Sequence, residues 1–159
     1  MAQAKKPKDE GDKAPRLRLK DQDENTVQAK DLDGEPYVLF FYPKANTSGC
    51  TKETCAFRDL HAEFEALGVR VFGVSPDAPK RQAGFHEKHA VTFPLLCDVD
   101  HKLADAYGVW QEKKLYGKTY MGIVRSTFLV DADGKIAKSW RKVKVAGHAD
   151  EVLEAAEAL

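Results

Sequence analysis

The sequence predicts an α/β domain: a mixed central sheet flanked by helices, with a β-hairpin added at the N-terminus. Three observations predict it. Apolar runs of strand length, such as "PYVLFFY" and "VRVFGV", alternate with segments whose apolar residues recur at helical spacing. Near the end, "DADG" joins "STFLV" to "KIAKSW", a hairpin that makes the sheet mixed rather than purely parallel. A chain of 159 residues without internal repeats suits one domain with one core.

The elements follow in order. "MAQAKKPKDEGDKAP", residues 1–15, is polar and is expected to be a disordered tail, its Lys5, Lys6 and Lys8 in solvent. "RLRLK" and "TVQAK" alternate apolar and polar residues around "DQDEN" and read as the hairpin. "DLDGE" is a turn. "PYVLFFY" is apolar throughout, as a central buried strand requires. From Thr51 to Leu67 the residues Phe57, Leu60, Phe64 and Leu67 fall at i, i+3, i+7 and i+10, one stripe of a helix that Gly68 ends. "VRVFGV" is a second buried strand, and "SPDAPKRQAGFHEKHA" a turn followed by a helix. "VTFPLLC" is a short strand. "DVDHKLADAYGV" reads as a short helix capped by Asp100 and closed near Gly108. The hairpin and a terminal helix, "HADEVLEAAEAL", complete the chain. This is the strand–helix plan of a thioredoxin-like fold, spanning residues 16–159 as one domain.

Composition excludes some functions. The chain is 43% hydrophobic and 31% charged, with 25 basic residues against 25 acidic ones. A zero net charge removes the electrostatic argument for nucleic acid or an anionic membrane surface. No apolar stretch nears the roughly 20 residues of a membrane span. The N-terminus lacks the apolar core of a secretory signal. Three cysteines are too few for a disulfide-stapled secreted domain, which makes a reducing cytoplasm the default. In that setting a close cysteine pair is catalytic, redox-active or metal-binding.

Cys50 and Cys55 form such a pair, in "FFYPKANTSGCTKETCAF", where a strand gives way to a helix. With Thr47 or Ser48 as N-cap, Cys50 lies in the first helical turn, where free N–H groups and the positive dipole end stabilise a thiolate. Gly49 lets backbone approach a bound small molecule. Five helical residues rotate Cys55 about 140° from Cys50 and separate their Cα atoms by roughly 8.6 Å. A disulfide needs less than about 7 Å. The two thiols can therefore pair only if the first turns of the helix unwind, which suits a transient bond better than a permanent one.

Pro43, Thr47 and Cys50 stand at the spacing Pro-x-x-x-Thr-x-x-Cys. That pattern resembles the signature of peroxiredoxins. "FYPKANTSGCTKETCAFRD", together with "YGVWQEKKLYGKTYMGIVRSTFLVD" over residues 107–131, is similar to the bacterioferritin comigratory protein, or peroxiredoxin Q, subfamily. The likeness runs from about Asp12 to the C-terminus. It departs at "APRLRL", where the subfamily often has Ala-Pro-x-Phe. The resemblance implies a thiol peroxidase acting on hydrogen peroxide and organic hydroperoxides, without a cofactor. Cys50 would be the peroxidatic thiolate and Cys55 the resolving thiol of a transient disulfide. Thr47 would hold peroxide and thiolate, Pro43 would shield the site, and Arg125 would hydrogen-bond both and stabilise charge on the departing oxygen. Glu53 would support Arg125. Thioredoxin or a glutaredoxin-like dithiol would reset the enzyme, and a monomer is the family tendency.

Other residues have plainer readings beside sharper ones. Cys97 closes an apolar strand and reads as a buried inert thiol, with a second resolving thiol as the alternative. His86 and His89 read as surface histidines. Trp110, Tyr116, Tyr120 and Met121 form either a substrate collar or a packed loop. A zinc site from the cysteines and histidines fits the spacing poorly. A thiol–disulfide oxidoreductase would carry Cys-x-x-Cys, which is absent, and a holdase chaperone would leave Thr47 and Arg125 unexplained.

Overall fold

The computed structural model describes residues 9–159. Its frame is a seven-stranded mixed sheet. The strands are β1 (Arg18–Lys20), β2 (Thr26–Gln28), β3 (Tyr37–Phe41), β4 (Arg70–Ser75), β5 (Leu95–Cys97), β8 (Ser126–Val130) and β9 (Ile136–Arg141), in the spatial order β2-β1-β5-β4-β3-β8-β9. β3, β4 and β5 are parallel, whereas β8 and β9 on one side and β1 and β2 on the other are antiparallel to their neighbours. The helices are α1 (Ser48–Ala66), α2 (Pro79–Lys88), α3 (Lys102–Ala106) and α4 (His148–Glu157), with a 3-10 turn at Ala29–Leu32.

Strand alternation divides the core in two. Val38 and Phe40 of β3 and Val71 of β4 face α1, α2 and α4, through Phe57, Phe64, Phe85 and Val152. Tyr37, Leu39 and Phe41 point the other way, onto Leu103, Tyr107 and Phe128. Each buried aromatic or aliphatic side chain contributes about 1.5–3 kcal/mol of burial, so the central strands are fixed in register by both faces. Phe40 stacks on Phe57 at 4.5 Å between ring centroids, which seats α1 on β3. Gly73 of β4 leaves room for this packing, since a Cβ there would lie 2.8 Å from both Phe40 and Leu95.

Several expectations shift. The first eight residues of the expected tail lie outside the described residues. From Asp9 the chain departs from the disordered reading of residues 1–15: Gly11 N–H donates to Ile136 O at 2.8 Å, Ala14 N–H to Gly134 O at 2.9 Å, and Lys13 bridges Lys135. Main-chain groups beside the β8–β9 turn make these bonds, and a polar composition does not reveal them. Residues 110–123, unread as structure in the sequence, form a separate two-stranded ribbon of β6 (Trp110–Leu115) and β7 (Lys118–Ile123). The buried face of α1 carries Cys50, Glu53, Thr54, Phe57 and Phe64, while Leu67 is its exposed C-cap. The short helix α3 has His101 at its N-cap position; the expected Asp100 accepts from Lys102 N–H at 3.3 Å, and the Asp98 carboxylate accepts from Leu103 and Ala104 N–H at 3.1 and 2.8 Å. Among the described residues no helix is long and apolar enough to cross a membrane.

Candidate active site

The carboxyl end of β3 leads through Tyr42 and a short loop into α1, and the first turn of that helix meets the residue just before β8. Thr47 is the N-cap, in extended conformation at φ −90° and ψ 155°. Its hydroxyl does not cap the helix but donates to Lys44 O at 2.7 Å. Thr51 N–H begins the helical ladder on Thr47 O. Cys50 therefore sits in the first turn, only 1% exposed, while Thr47 is exposed beside it. Pro43 is half-buried at the head of the loop.

Arg125 closes the site from the other side. Its Nη2 donates to Cys50 Sγ at 3.3 Å, and its Nη1 donates to Glu53 Oε1 at 2.8 Å. Cys50 and Glu53, one turn apart on α1, thus share one guanidinium across a gap of more than 70 residues in sequence. A side chain at Gly49 would place its Cβ 3.1 Å from Arg125 Nη2, so the glycine makes room for the cation. Burial raises the Glu53 carboxyl to about 7 against the pull of Arg125. Burial disfavours the Arg125 charge, but Glu53 and Cys50 outweigh it and hold the guanidinium protonated. The second Glu53 oxygen, Oε2, is buried without a partner among the described residues. Fixed donors on a thiolate and on any oxygen that develops charge beside it are the chemical content of this arrangement.

A shell of groups not singled out in the sequence surrounds the pair. His148, at the start of α4, is hydrogen-bonded through Nε2 to Thr127 Oγ1 at 2.8 Å and packs edge-on against Phe57 and Trp140. Burial, then the charge of Arg125, lowers His148 to about 4, so it is neutral at pH 7. Tyr42 hydroxyl donates to Gln82 Oε1 at 2.6 Å, and Gln82 Nε2 donates to Ser75 Oγ and Leu96 O. A polar residue in the middle of an apolar run, as at Thr127 in "STFLV", is the signal that could have found the His148 pair, whereas Gln82 stands in a polar stretch that carries no such signal.

The remaining candidates lie elsewhere. Cys55 is half-buried further along the same unbroken helix, and all three cysteines are unpaired. Cys97 is buried at the end of β5. His86 and His89 are half-buried rather than on the surface: His86 Nε2 lies 3.1 Å from Phe93 O, and the His89 ring meets Phe85 edge-on. The aromatic segment divides. Trp110 stacks on His101 at 4.0 Å and packs on the core, whereas Tyr116, Tyr120 and Met121 are exposed on the β6–β7 ribbon. Among the described residues no cluster of three or more His, Cys, Asp or Glu is placed to hold a metal.

Known proteins place the chain in a family. Residues 10–139 match the AhpC/TSA family. Peroxiredoxin Bcp of Bacillus subtilis is 51% identical over 144 residues, 91% of this chain and 92% of that one. A solved structure of PrxQ from Xylella fastidiosa superposes with a TM-score of 0.91 at 37% identity, covering 97% of this chain and 98% of the other. The bacterioferritin comigratory protein of Xanthomonas campestris, solved as trapped intermediate and ligand complexes that bear on its alkyl peroxide reduction, superposes at 0.85 with 42% identity over 89% and 90% of the two chains. The chain belongs to the AhpC/TSA family and, within it, to the bacterioferritin comigratory protein or peroxiredoxin Q peroxiredoxins.

Proposed function

We propose that this peroxiredoxin reduces hydrogen peroxide and organic hydroperoxides at Cys50 and resolves the oxidised sulfur through Cys55. The observation that carries the reading is the Arg125 guanidinium held between Cys50 Sγ and Glu53. The Cys50 thiolate attacks the terminal peroxide oxygen, the O–O bond breaks, and water or an alcohol leaves after taking a proton. Cys50 becomes a sulfenic acid. Arg125 stabilises the charge on both oxygens as it forms, Thr47 offers its hydroxyl to the peroxide, and Pro43 keeps bulk water off the sulfur. The alkyl peroxide activity ascribed to the Xanthomonas relative supports the substrate class.

The second half-reaction requires a change of shape. Cys55 lies inside an intact α1, on another side of the helix from Cys50. Once the first turns unwind, its thiolate attacks the sulfenic sulfur, hydroxide leaves as water, and a Cys50–Cys55 disulfide remains. Two thiols of thioredoxin or a glutaredoxin-like protein then reduce the disulfide and are themselves oxidised. Three free cysteines suit a reducing cytoplasm, and a monomer is inferred from the tendency of the family.

Peroxide consumption with thioredoxin, thioredoxin reductase and NADPH tests the activity, and no turnover would reject it. Amide exchange over residues 50–58 in reduced and oxidised protein tests the unwinding. Protection is expected in the reduced state and lost in the oxidised one. Equal protection in both, or a Cys50–Cys97 link by mass spectrometry, would reject Cys55 as the resolving thiol.

A further inference from the structure

The polar network that Gln82 joins at Ser75 continues behind the loop that leads into α1. Ser75 ends β4, Asp77 lies in the following turn, and Arg81 stands one helical turn later in α2. Asp77 Oδ2 accepts from Ala45 N–H at 2.7 Å and from the Ser75 hydroxyl at 2.7 Å. Asp77 Oδ1 pairs with Arg81 Nε at 3.1 Å, and Arg81 Nη2 donates to Ala45 O at 3.0 Å. Both backbone groups of Ala45 are therefore held by an ion pair whose members also hold each other. Ala45 is fully buried, two residues before Thr47 and five before Cys50. The next residue, Asn46, turns the chain at φ +64°, a left-handed conformation that asparagine tolerates better than most residues.

We propose that Asp77, with Arg81, is a positioning latch that fixes the loop 43–47 for peroxide attack and must yield as α1 unwinds, so that it sets the balance between oxidation of Cys50 and its capture by Cys55. The inference rests on the roles given above to those two cysteines. Attack requires Thr47, Cys50 and Arg125 in one fixed relation. Capture requires the start of α1 to come away, and the loop joined to it to move. An interaction made only in the intact state favours the first step and opposes the second. The Ala45 clamp is such an interaction, because it ties the loop to α2 and the end of β4, which the unwinding of α1 leaves in place. Its bonds are charge-assisted and short, the kind that hold geometry best.

Asp77→Asn and Asp77→Ala test the latch, with Arg81→Ala as a variant at a half-exposed side chain that leaves the core intact. Cys50 oxidation by hydrogen peroxide is measured by rapid mixing in the parent and in a Cys55→Ser background, where the first step stands alone. The expected result is a fall in that second-order rate of about 10- to 100-fold for the Asp77 variants, in both backgrounds, and a smaller fall for Arg81→Ala. Disulfide formation speeds up, so fewer Cys50 thiols reach sulfinic acid per turnover. Slowing of both steps together with a lower melting temperature, as plain loss of structure would give, overturns the proposal. Unchanged rates in all three variants beside an active parent overturn the latch alone. A parent that consumes no peroxide overturns the reading of Cys50, and the latch with it.

Discussion

Cys50 and Cys97 are buried almost equally, 1% and 6% exposed, yet their surroundings have opposite electrical character. Cys50 sits in the first turn of a helix with a guanidinium 3.3 Å from its sulfur. Cys97 ends a strand, and its sulfur faces the carbonyls of Asp21 and Leu95 at 3.8 and 4.0 Å. Burial, then the carboxylates of Asp21, Asp77 and Glu24, pushes the Cys97 thiol up to about 12. Burial, reinforced by carboxylates, therefore silences this thiol. The same burial becomes an asset only where a fixed cation and free N–H groups replace the lost water.

The largest test of this contrast is removal of the reacting sulfur. Cys50→Ser is expected to abolish peroxide turnover, as read by NADPH consumption in the coupled assay, and turnover near the parent rate would end the assignment. Removing the cation comes next. Arg125→Ala loses one preorganised donor and is expected to slow Cys50 oxidation by about 10²–10³-fold, the usual loss for one such group. An unchanged rate in rapid mixing would mean that the helix terminus suffices and that the guanidinium is structural.

A smaller effect concerns how the site tolerates its own charges. Glu53 is raised from 4.5 to about 7, so the native state keeps a proton that the unfolded chain releases. Its contribution to stability is complete below pH 4.5 and is lost as pH rises through about 7. His148 is lowered from 6.5 to about 4, so the unfolded chain takes up a proton that the native state refuses. Its contribution is complete above pH 6.5 and is lost as pH falls through about 4. Between pH 4.5 and 6.5 the two slopes oppose and cancel. Glu53→Gln should therefore steepen the rise of stability with pH in that window, by on the order of 1 kcal/mol per unit, and His148→Gln should change it in the opposite sense. Denaturant midpoints against pH read both, and identical slopes in parent and variants would contradict the two shifts.

What the sequence disclosed, and what it hid, divides along the same line of local against distant causes. The helix carrying Cys50, the central strands and the closing hairpin were legible because their patterns are local: a period of 3.6 after Gly49, unbroken apolar runs, and a "DADG" turn. Arg125 was legible only through a motif, since nothing near it in sequence points to Cys50. The β6–β7 ribbon was not read, because most of its residues are solvated and no apolar alternation marks a buried face. Its trace was the pair Tyr116-Gly117, both at positive φ, as a two-residue hairpin turn requires. The Ala45–Asp77–Arg81 clamp and the His148–Thr127 pair were hidden for a different reason. They join segments 21 to 36 residues apart through polar side chains, whose partners a linear pattern does not name.

The smallest expected effect belongs to Cys97, and it closes the contrast. With a thiol raised to about 12, roughly one Cys97 in ten thousand is a thiolate at pH 8, and its sulfur is shielded from solvent besides. Cys97→Ala removes a buried sulfur that packs at the edge of the β4–β5 pairing, a loss of about 1 kcal/mol in a denaturant titration. Peroxide turnover should stay within about twofold of the parent, because nothing on the proposed path from Cys50 to Cys55 uses this group. A disulfide probe added to the native reduced protein should leave Cys97 untouched until the chain unfolds. The carboxylates give a sharper form of the same test. Asp21→Asn removes the largest of the charge effects that hold Cys97 protonated and should raise its rate of modification, without altering that of Cys50. If Cys97→Ala instead slowed turnover as strongly as Arg125→Ala does, the thiol would be part of the cycle. The electrical contrast between the two cysteines would then not be what separates an active sulfur from an inert one.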